Sequence, residues 1–526
     1  MITVPETWIA KHRERLAPEG YVELSYLITE EGLQEDATAS ATDQAAFSDI
    51  ADVTNPSANR PTPRYATFEW NHWQLDGTGA IVDGVGTNDN AGYVSAAFCE
   101  DAEPLLTVSL SQVHTQPIQG VTIVWSEEYD EFPVSFTVTA YRGSSVVAEA
   151  DITDNRGNTS TVELDLVNYD SVVIKVREWC LPLHRARIEQ VMLGTYITYT
   201  KRDLMQYSHE QTGCLMSGEL PKNSISFALD NSTGVWNPLN PDGYTKYLAE
   251  RQQIKVRYGF NIDGNIEWIK AGTFYLSEWS TPANSITATF TARDILEFAM
   301  EVPYTGDMSG TLYDIVLQAV NEANFPYGAS VYIDDSLKDV EAGFEGEYTV
   351  AQIIQMAANA GTCVMYQDRE GVFRIEKAKA LLSDYRISQN VSYSFPEIEL
   401  SKPLKAVNVS FGAEANYIHA VGSSGETQTV DNPIISSEET AKRVAEWTAN
   451  VLSERQTLSG SFRADPRLDL YDKIAVESKY GVSNAVFVTS IKYEFTGAFK
   501  GSYTGRQTIF EPVIAGYCGE FYAGDV

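Results

Sequence analysis

Basic residues are what this chain most lacks. It carries 38 Lys and Arg against 72 Asp and Glu over 526 residues, a formal net charge of −34. The deficit is general: residues 1–60 hold 11 acids and 4 bases, residues 61–195 hold 19 and 7, and the remainder holds 42 and 27. Affinity for nucleic acid comes mainly from Lys and Arg contacts that release counterions from phosphates, so no segment reads as a grip on DNA or RNA. The same charge argues against an anionic membrane surface. Apolar runs are short, and none approaches the ~20 residues needed to span a bilayer. The N-terminal MITVPETWIAKHRERLAPEG has bases after a very short apolar stretch, so no secretory leader is expected.

Cysteine is sparse and scattered, at 99, 180, 214, 363 and 518, with no CxxC. An odd, dispersed set fits reduced structural thiols in a protein made in a cytoplasm. The six histidines, at 12, 72, 114, 184, 209 and 419, form neither HExxH nor a zinc-finger pair. GxSxG, GxGxxG and a P-loop lysine are missing too. The motifs therefore assign no catalytic residue, no metal and no cofactor, while a catalytic triad, whose members need not be near in sequence, stays open.

Aromatics are plentiful: 29 Tyr, 21 Phe and 9 Trp. With many Thr and Val they favour strands. At ~150 residues per domain the length implies three or four domains. Residues 5–16 read as a short helix with Trp8, Ile9, His12 and Leu16 on one side, either docked on the protein or held out as a partner-binding arm. A strand at 21–29 follows, and 30–63, rich in Ala, Ser, Thr, Asp and Pro, reads as a linker.

Between 65 and 194 alternating strands recur at short intervals, among them VTIVWS, VSFTVTAY, SVVAEADI, TSTVELDL and SVVIKVREW. That is the pattern of an antiparallel sandwich. A second β-rich unit runs from 196 to about 303. Two amphipathic helices then appear in GTLYDIVLQAVNEAN and TVAQIIQMAANAG, the latter with Thr349 as N-cap and Gly361 as C′ stop. A hairpin turning at 368–371 follows them. Strands return from 386, broken by a helix that Ser436 and Glu439 would open with a capping box and that buries Val444, Trp447, Thr448 and Val451. Ile254-Lys255-Val256 leading to a strand at 274–279 resembles Ile474-Ala475-Val476 leading to one at 487–495, although the spacing differs.

Few residues are candidates for binding. Trp70, Trp73 and Tyr93, at the start of the sandwich, are positioned in sequence to contact a carbohydrate; the alternative is ordinary core packing. Residues 83–92 (DGVGTNDNAG) and 127–131 (EEYDE) offer hard oxygens for Ca²⁺, the alternatives being a Gly/Asn turn and a solvated acidic face. Ca²⁺ is the less favoured choice at both, because neither matches a defined loop. The stretch 220–243, LPKNSISFALDNSTGVWNPLNPDG, fails the EF-hand pattern as well. Its three prolines fix φ and remove donors, so it is expected to steer the chain rather than bind.

The same stretch, continued through YTKYLAERQQIKVRYGF and followed by AGTFYLSEWS and TFTARDIL, resembles the tail-tip and baseplate-hub proteins of tailed bacteriophages and prophages. DNPIISSEETAKRVAEW, ADPRLDLYDKIAV and IKYEFTGAFKGSYTGR resemble later segments of that family, and RYATFEWNHWQLDG resembles the lead into an inserted domain. The order of these motifs spans most of residues 20–510. The resemblance implies a mainly β (α+β) fold: an N-terminal arm, first hub strand and linker at 1–64, and a discoidin-like, galactose-binding-type jelly-roll sandwich at 65–195. It further implies a first hub β-barrel at 196–303, a small α+β domain at 304–385, a second hub β-barrel at 386–512 and a tail at 513–526.

By the same resemblance the chain is a structural virion protein, made in the host cytoplasm and placed at the distal end of a tail tube as a homotrimeric ring. Two related barrels per chain would give six in the ring. Its partners would be distal tail and tube proteins and the tape-measure protein, with DNA passing through unbound. Acidic walls would repel DNA over a Debye length of ~8 Å. Larger family members continue into peptidase, lytic or receptor-binding domains, and ending at Val526 supports the expectation of no enzymatic activity. The alternative implied by the sandwich is an adhesin that binds a host cell-surface glycan.

Overall fold

The computed structural model describes residues 2–508 apart from 56–66, 73–91 and short gaps at 15, 30–31, 71, 100–101, 127, 201–202, 241–242, 244–247, 249–250, 282–285, 327–328, 379–381, 413–414 and 482. Among these residues the chain is mainly β. Thirteen strands make one continuous sheet. In chain order they are β1 (Gly20–Ile28), β2 (Thr195–Tyr199), β3 (Leu204–Thr212), β4 (Lys222–Asp230), β5 (Gln253–Ile262), β6 (Asn265–Ser280) and β7 (Thr287–Arg293). The second half supplies β8 (Leu382–Ile387), β9 (Glu397–Leu400), β10 (Gln456–Arg463), β11 (Lys473–Glu477), β12 (Ser483–Phe495) and β13 (Phe499–Thr508). The spatial order is β2-β1-β5-β6-β7-β4-β3-β12-β13-β10-β9, with β11 also on β12 and β8 on β11.

The two β-units therefore join edge to edge, with Tyr207–Thr212 of β3 antiparallel to Ser490–Phe495 of β12. They also share one core, in which Phe499 lies 5.2 Å from Tyr258 and 5.1 Å from Phe260 between ring centroids. Each large apolar side chain buried in this way contributes about 1.5–3 kcal/mol. The N-terminal helix α1 (Glu6–Arg13) docks across the seam. Trp8 and His12 are buried, the Trp8 indole N–H donates to Asp465 at 3.1 Å, and Arg463 donates to the Glu14 carbonyl at 2.6 Å. Leu16, placed on the buried side by the sequence pattern, is 80% exposed because the helix stops at Arg13.

The two units are copies of one motif. Ile254 faces Phe274 across β5–β6, and Ile474 faces Val486 across β11–β12. Two residues past Phe274 and Val486 each long strand bulges, between Leu276 and Glu278 and between Val488 and Ser490. Tyr275 then faces Arg293, as Phe487 faces Arg506. Ser224 faces Arg293 as Thr457 faces Arg506, and Glu210 faces Ser224 as Glu399 faces Thr457. Strand for strand, β5, β6, β7, β4 and β3 correspond to β11, β12, β13, β10 and β9.

The sandwich is inserted between β1 and β2, which pair as a hairpin with Ile28 opposite Thr195. A five-stranded antiparallel sheet runs in the order Thr38–Ala41, Leu105–His114, Tyr169–Trp179, Pro133–Arg142, Ser145–Ile152. It faces Gln190–Leu193, Ile118–Val124 and Thr159–Leu166, with Arg185–Ile188 and Tyr93–Phe98 beside them. The insertion starts earlier than the sequence suggests. Residues 33–55 are not a linker, because Leu33, Ala37 and Val53 are buried in the sandwich core and the Gln34 amide binds the Thr54 and Val191 carbonyls. Polar composition hid this, since the stretch buries only a few apolar side chains.

The small domain is larger than expected. Helices α2 (Leu312–Glu322) and α3 (Val350–Ala360) share a core with α4 (Glu438–Ser453) and with Val407 and Val409 of a three-stranded sheet. Residues 404–453 thus leave the second β-unit to pack here, because the apolar stripe of α4 needs a partner surface. Thr349 and Gln352 form the α3 capping box. Gly361 does not take the left-handed turn: its φ is −78°, and Thr362 takes it at 53°. The glycine instead provides room, since a Cβ there would sit 3.2 Å from the Ala357 carbonyl and 3.3 Å from Leu337. Ser437, not Ser436, caps α4, while Ser436 donates to the Glu341 carbonyl. Among the described residues no helix is long and apolar enough to cross a membrane.

Candidate functional site

The hairpin turn at 368–371 carries a side chain with four hydrogen bonds, that of Arg369, to the point where three domains meet. Its tip is shaped by Asp368, whose Oδ1 accepts from the N–H groups of Glu370 and Val372 and whose Oδ2 accepts from Arg374 at 2.5 Å. Arg369 is thereby turned inward, with its side chain only 9% exposed. Nε donates to Asp469 at 2.7 Å, Nη1 to the Lys270 carbonyl at 3.0 Å, and Nη2 to the carbonyls of Pro466 and Leu468 at 2.6 and 3.0 Å. One guanidinium from the small domain thus holds both β-units. Burial would lower its pKa, but the charge and hydrogen bond of Asp469 together with nearby Tyr493 and Tyr258 raise it; burial would raise Asp469, and Arg369 helps to keep it below its ordinary value.

A buried polar relay lies alongside. Tyr207 and Tyr258 hydroxyls are 2.9 Å apart, Tyr258 reaches His209 Nδ1 at 2.8 Å, and His209 Nε2 reaches Asn223 Oδ1 at 2.8 Å. With Asn223 Oδ1 able only to accept, Nε2 carries the proton and Nδ1 accepts from Tyr258. Burial pushes the His209 pKa down to about 4, so the ring stays neutral. Between relay and clamp is a cavity of about 170 Å³ lined in part by Gln211, Lys222, Asn223, Gln367, Arg369 and Asp469. Asp294 also faces it. Its Oδ1 accepts from Leu296 N–H at 3.2 Å, Oδ2 has no partner among the described residues, and burial pushes its pKa up to about 7.

The second charged cluster is inside the sandwich. Glu131 accepts from His72 Nε2 at 2.5 Å, from His184 Nδ1 at 2.9 Å and from the Trp179 indole at 2.8 Å. Glu69 takes both Arg187 nitrogens at 2.6 Å and the Arg185 N–H at 2.7 Å. Tyr129 stacks on His72 with ring centroids 3.9 Å apart. Burial would raise both carboxyls, but Arg187 and His72 hold Glu69 low, and His72 and Trp179 hold Glu131 low. Burial would likewise lower His72, and its hydrogen bond to Glu131 together with the Glu69 carboxylate 3.6 Å from Nδ1 overrides that and raises it. Donor atoms of Glu69, His72 and His184 lie within 4.8 Å of one another. A divalent ion there would have to displace Arg187 from Glu69, so the chemistry of the set is that of a closed ion-pair cluster.

The residues singled out by sequence fall in different places. Tyr93 has no exposed surface and packs in the sandwich core, so it has no face to offer a sugar. Trp70 is 73% exposed beside Phe68, which is 95% exposed. Trp73 and nearly all of 83–92 lie outside the described residues, as does Glu127. In the rest of EEYDE, Glu128 and Asp130 are exposed, as on a solvated acidic face, whereas Glu131 turns inward and is buried. The 230–240 loop turns on its own side chains, with Asp230, Asn231 and Asn237 accepting from nearby N–H groups of Ser232, Trp236 and Leu239. That fold drives Trp236 into the core, 5.0 Å from Phe290. Neither charged cluster was visible in sequence: Glu69 and Glu131, or Arg369 and Asp469, are too far apart to form a motif.

No protein-family model matches the chain, and no curated protein matches it. Among solved structures, a tail protein from Neisseria meningitidis MC58 is similar at 12% identity, covering 60% of this chain and 94% of that one with a TM-score of 0.42. The 43 kDa tail protein of prophage MuSo2 from Shewanella oneidensis is similar at 11% identity over 59% and 94%, TM-score 0.43. The prophage tail protein gp18 from Listeria monocytogenes EGD-e is similar at 11% identity over 59% and 91%, TM-score 0.40.

Proposed function

We propose that this chain is a structural virion protein that forms a homotrimeric ring at the distal end of a phage tail tube. The ring would join the tube to the tip and gate genome passage. One observation carries this reading: a single chain presents two copies of one β-unit, joined in register in one sheet. Three chains then supply six near-equivalent units, the number a sixfold tube requires. The clamp at Arg369 supports the reading by fixing both copies and the small domain as one rigid body. The role is architectural, since the charged groups of both clusters are committed to one another. Partners would be distal tube and tape-measure proteins, and the net charge of −34 suits a wall past which DNA slides without binding.

Mass photometry of the full-length protein, with electron-microscopy class averages of the same sample, tests the proposal. A threefold ring with a central opening is the expected result. A monomer at every concentration would count against it.

A second reading, a glycan-binding adhesin, draws on exposed Phe68 and Trp70 at one end of the sandwich. Binding of the full chain to host cell walls, abolished by Trp70→Ala, would favour it. A flat response across a broad glycan panel would remove it.

A further inference from the structure

Strand β9 ends the thirteen-stranded sheet and has no neighbour on its outer edge among the described residues. It is an apolar edge: Ile398 is 56% exposed and Leu400 60%, with Tyr393 and Phe395 just upstream at 59% and 50%. Bare edges of this kind invite another strand. The internal repeat says which one. In the first copy, the counterpart of β9 is β3, and the outer edge of β3 is covered by β12. The counterpart of β12 is β6.

The matching flank of β6 is open. On β12, the residues beyond Val488 lose β11 as a neighbour and gain β3 on the same side, with Gly213 N–H donating to the Thr489 carbonyl at 2.9 Å. On β6, pairing with β5 likewise closes at Leu276, whose carbonyl accepts from Arg251 N–H and whose N–H donates to Gln252. Beyond it, Glu278, Trp279 and Ser280 are exposed, Trp279 at 38%, and no strand covers that side among the described residues.

We infer that β9 of one copy pairs antiparallel with this open flank of β6 in a second copy, in the register that β3 adopts on β12. This contact belongs to the ring proposed above and takes its copy number from that reading. Gln211 faces Ile491 and Glu210 faces Lys492 within the chain. Their counterparts place Leu400 opposite Trp279 of the second copy, and Glu399 opposite Ser280. Lys402 N–H would donate to the Ser277 carbonyl, as Gly213 does to Thr489. Leu400 and Ile398 then bracket the Trp279 ring, covering the apolar edge. The contact is head to tail, so each copy uses a different edge on each side and the chain of copies must close into a ring to satisfy all of them.

A register-specific cross-link tests this. Glu210 and Lys492 form a non-hydrogen-bonded pair, because Gly213 and Thr489 are hydrogen-bonded three residues along. Glu399 and Ser280 inherit that geometry, with a Cα separation of about 4.5 Å that suits a disulfide. The full-length Glu399→Cys/Ser280→Cys variant should, on oxidation, shift from monomer to covalent trimer on a denaturing non-reducing gel, reversibly with reductant. The single variants, and Glu399→Cys/Trp279→Cys with side chains on opposite faces, should stay monomeric on the gel. Leu400→Asp should lower the ring population at least tenfold in mass photometry. Rings that form normally without the in-register cross-link would overturn the strand pairing while leaving the ring standing. Equal cross-linking of the out-of-register pair would overturn the register. Absence of both rings and cross-links would overturn the ring as well.

Discussion

Arg251 and Tyr471 hold the same place in two copies of one motif. Both have left-handed φ, 68° and 63°, and both donate their backbone N–H to the residue before a bulge, Leu276 and Val488. Neither is glycine, so both copies retain a conformation that costs an ordinary residue about 1–2 kcal/mol. The duplication is thus preserved in backbone geometry even where the side chains share no chemistry.

Arg251→Gly should relieve that cost and leave stability unchanged or higher by up to about 1 kcal/mol. Its loss of the stacking of the guanidinium on Phe298, 4.6 Å from the ring centroid, works the other way. Arg251→Val, β-branched and ill suited to positive φ, should cost about 1–2 kcal/mol. Urea denaturation of both variants measures the difference, and equal midpoints would contradict the argument.

Arg369→Met should be the most damaging single change at the domain junction. It leaves Asp469 without its cation and three carbonyls without their donor, a loss of about 3–5 kcal/mol. The transition should also split, because the small domain loses its tie to both β-units. A single cooperative transition at the parent midpoint would refute this.

Asp294 makes the junction sensitive to pH. Its folded value of about 7 is raised above the ordinary 3.8, so its contribution is fully present below about pH 4 and is lost as pH rises through 7. His209 runs the other way. Its folded value of about 4 is below the ordinary 6.5, so stability falls as acid protonates the unfolded chain between those values. Asp294→Asn should therefore raise stability at pH 8 and steepen the loss on acidification from pH 7 to 4. Chemical denaturation across that range checks it, and parallel curves for parent and variant would rule out the assignment.

The sandwich should be most stable between about pH 4.5 and 6.5. Glu69 and Glu131 are held below the ordinary 4.5, so their contribution is present above it and lost on further acidification. His72 is raised above 6.5, so its contribution is full below that value and fades as pH climbs through the folded one. Glu131→Gln removes the partner of His72 and His184 and should cost about 2–3 kcal/mol. It should also abolish the alkaline part of the profile. Thermal unfolding at pH 5.5 and 8 would reveal whether the variant loses more at the lower pH, as expected.

By itself the sequence determined what depends on neighbours along the chain. Alternation marked the sandwich strands, a period of 3.6 marked α2 and α3, and Thr349 marked its own place as an N-cap. The turns at 230–240 and 368–371 were legible as turns, and the structure adds that Asx side chains shape them by binding N–H groups two to five residues on. The repeat was legible only at Ile254–Val256 and Ile474–Val476. Elsewhere the copies keep register but not residues, so that Phe227 answers to Gly460 and Gln211 to Leu400. Tertiary structure alone decided the rest. It drew 33–55 into the sandwich and 404–453 into the small domain, where a few buried side chains outweigh polar composition. It also assembled Glu131 with His72 and His184, and Arg369 with Asp469. A buried charge is stable only beside its counter-charge, and the sheet can bring that partner from anywhere in the chain.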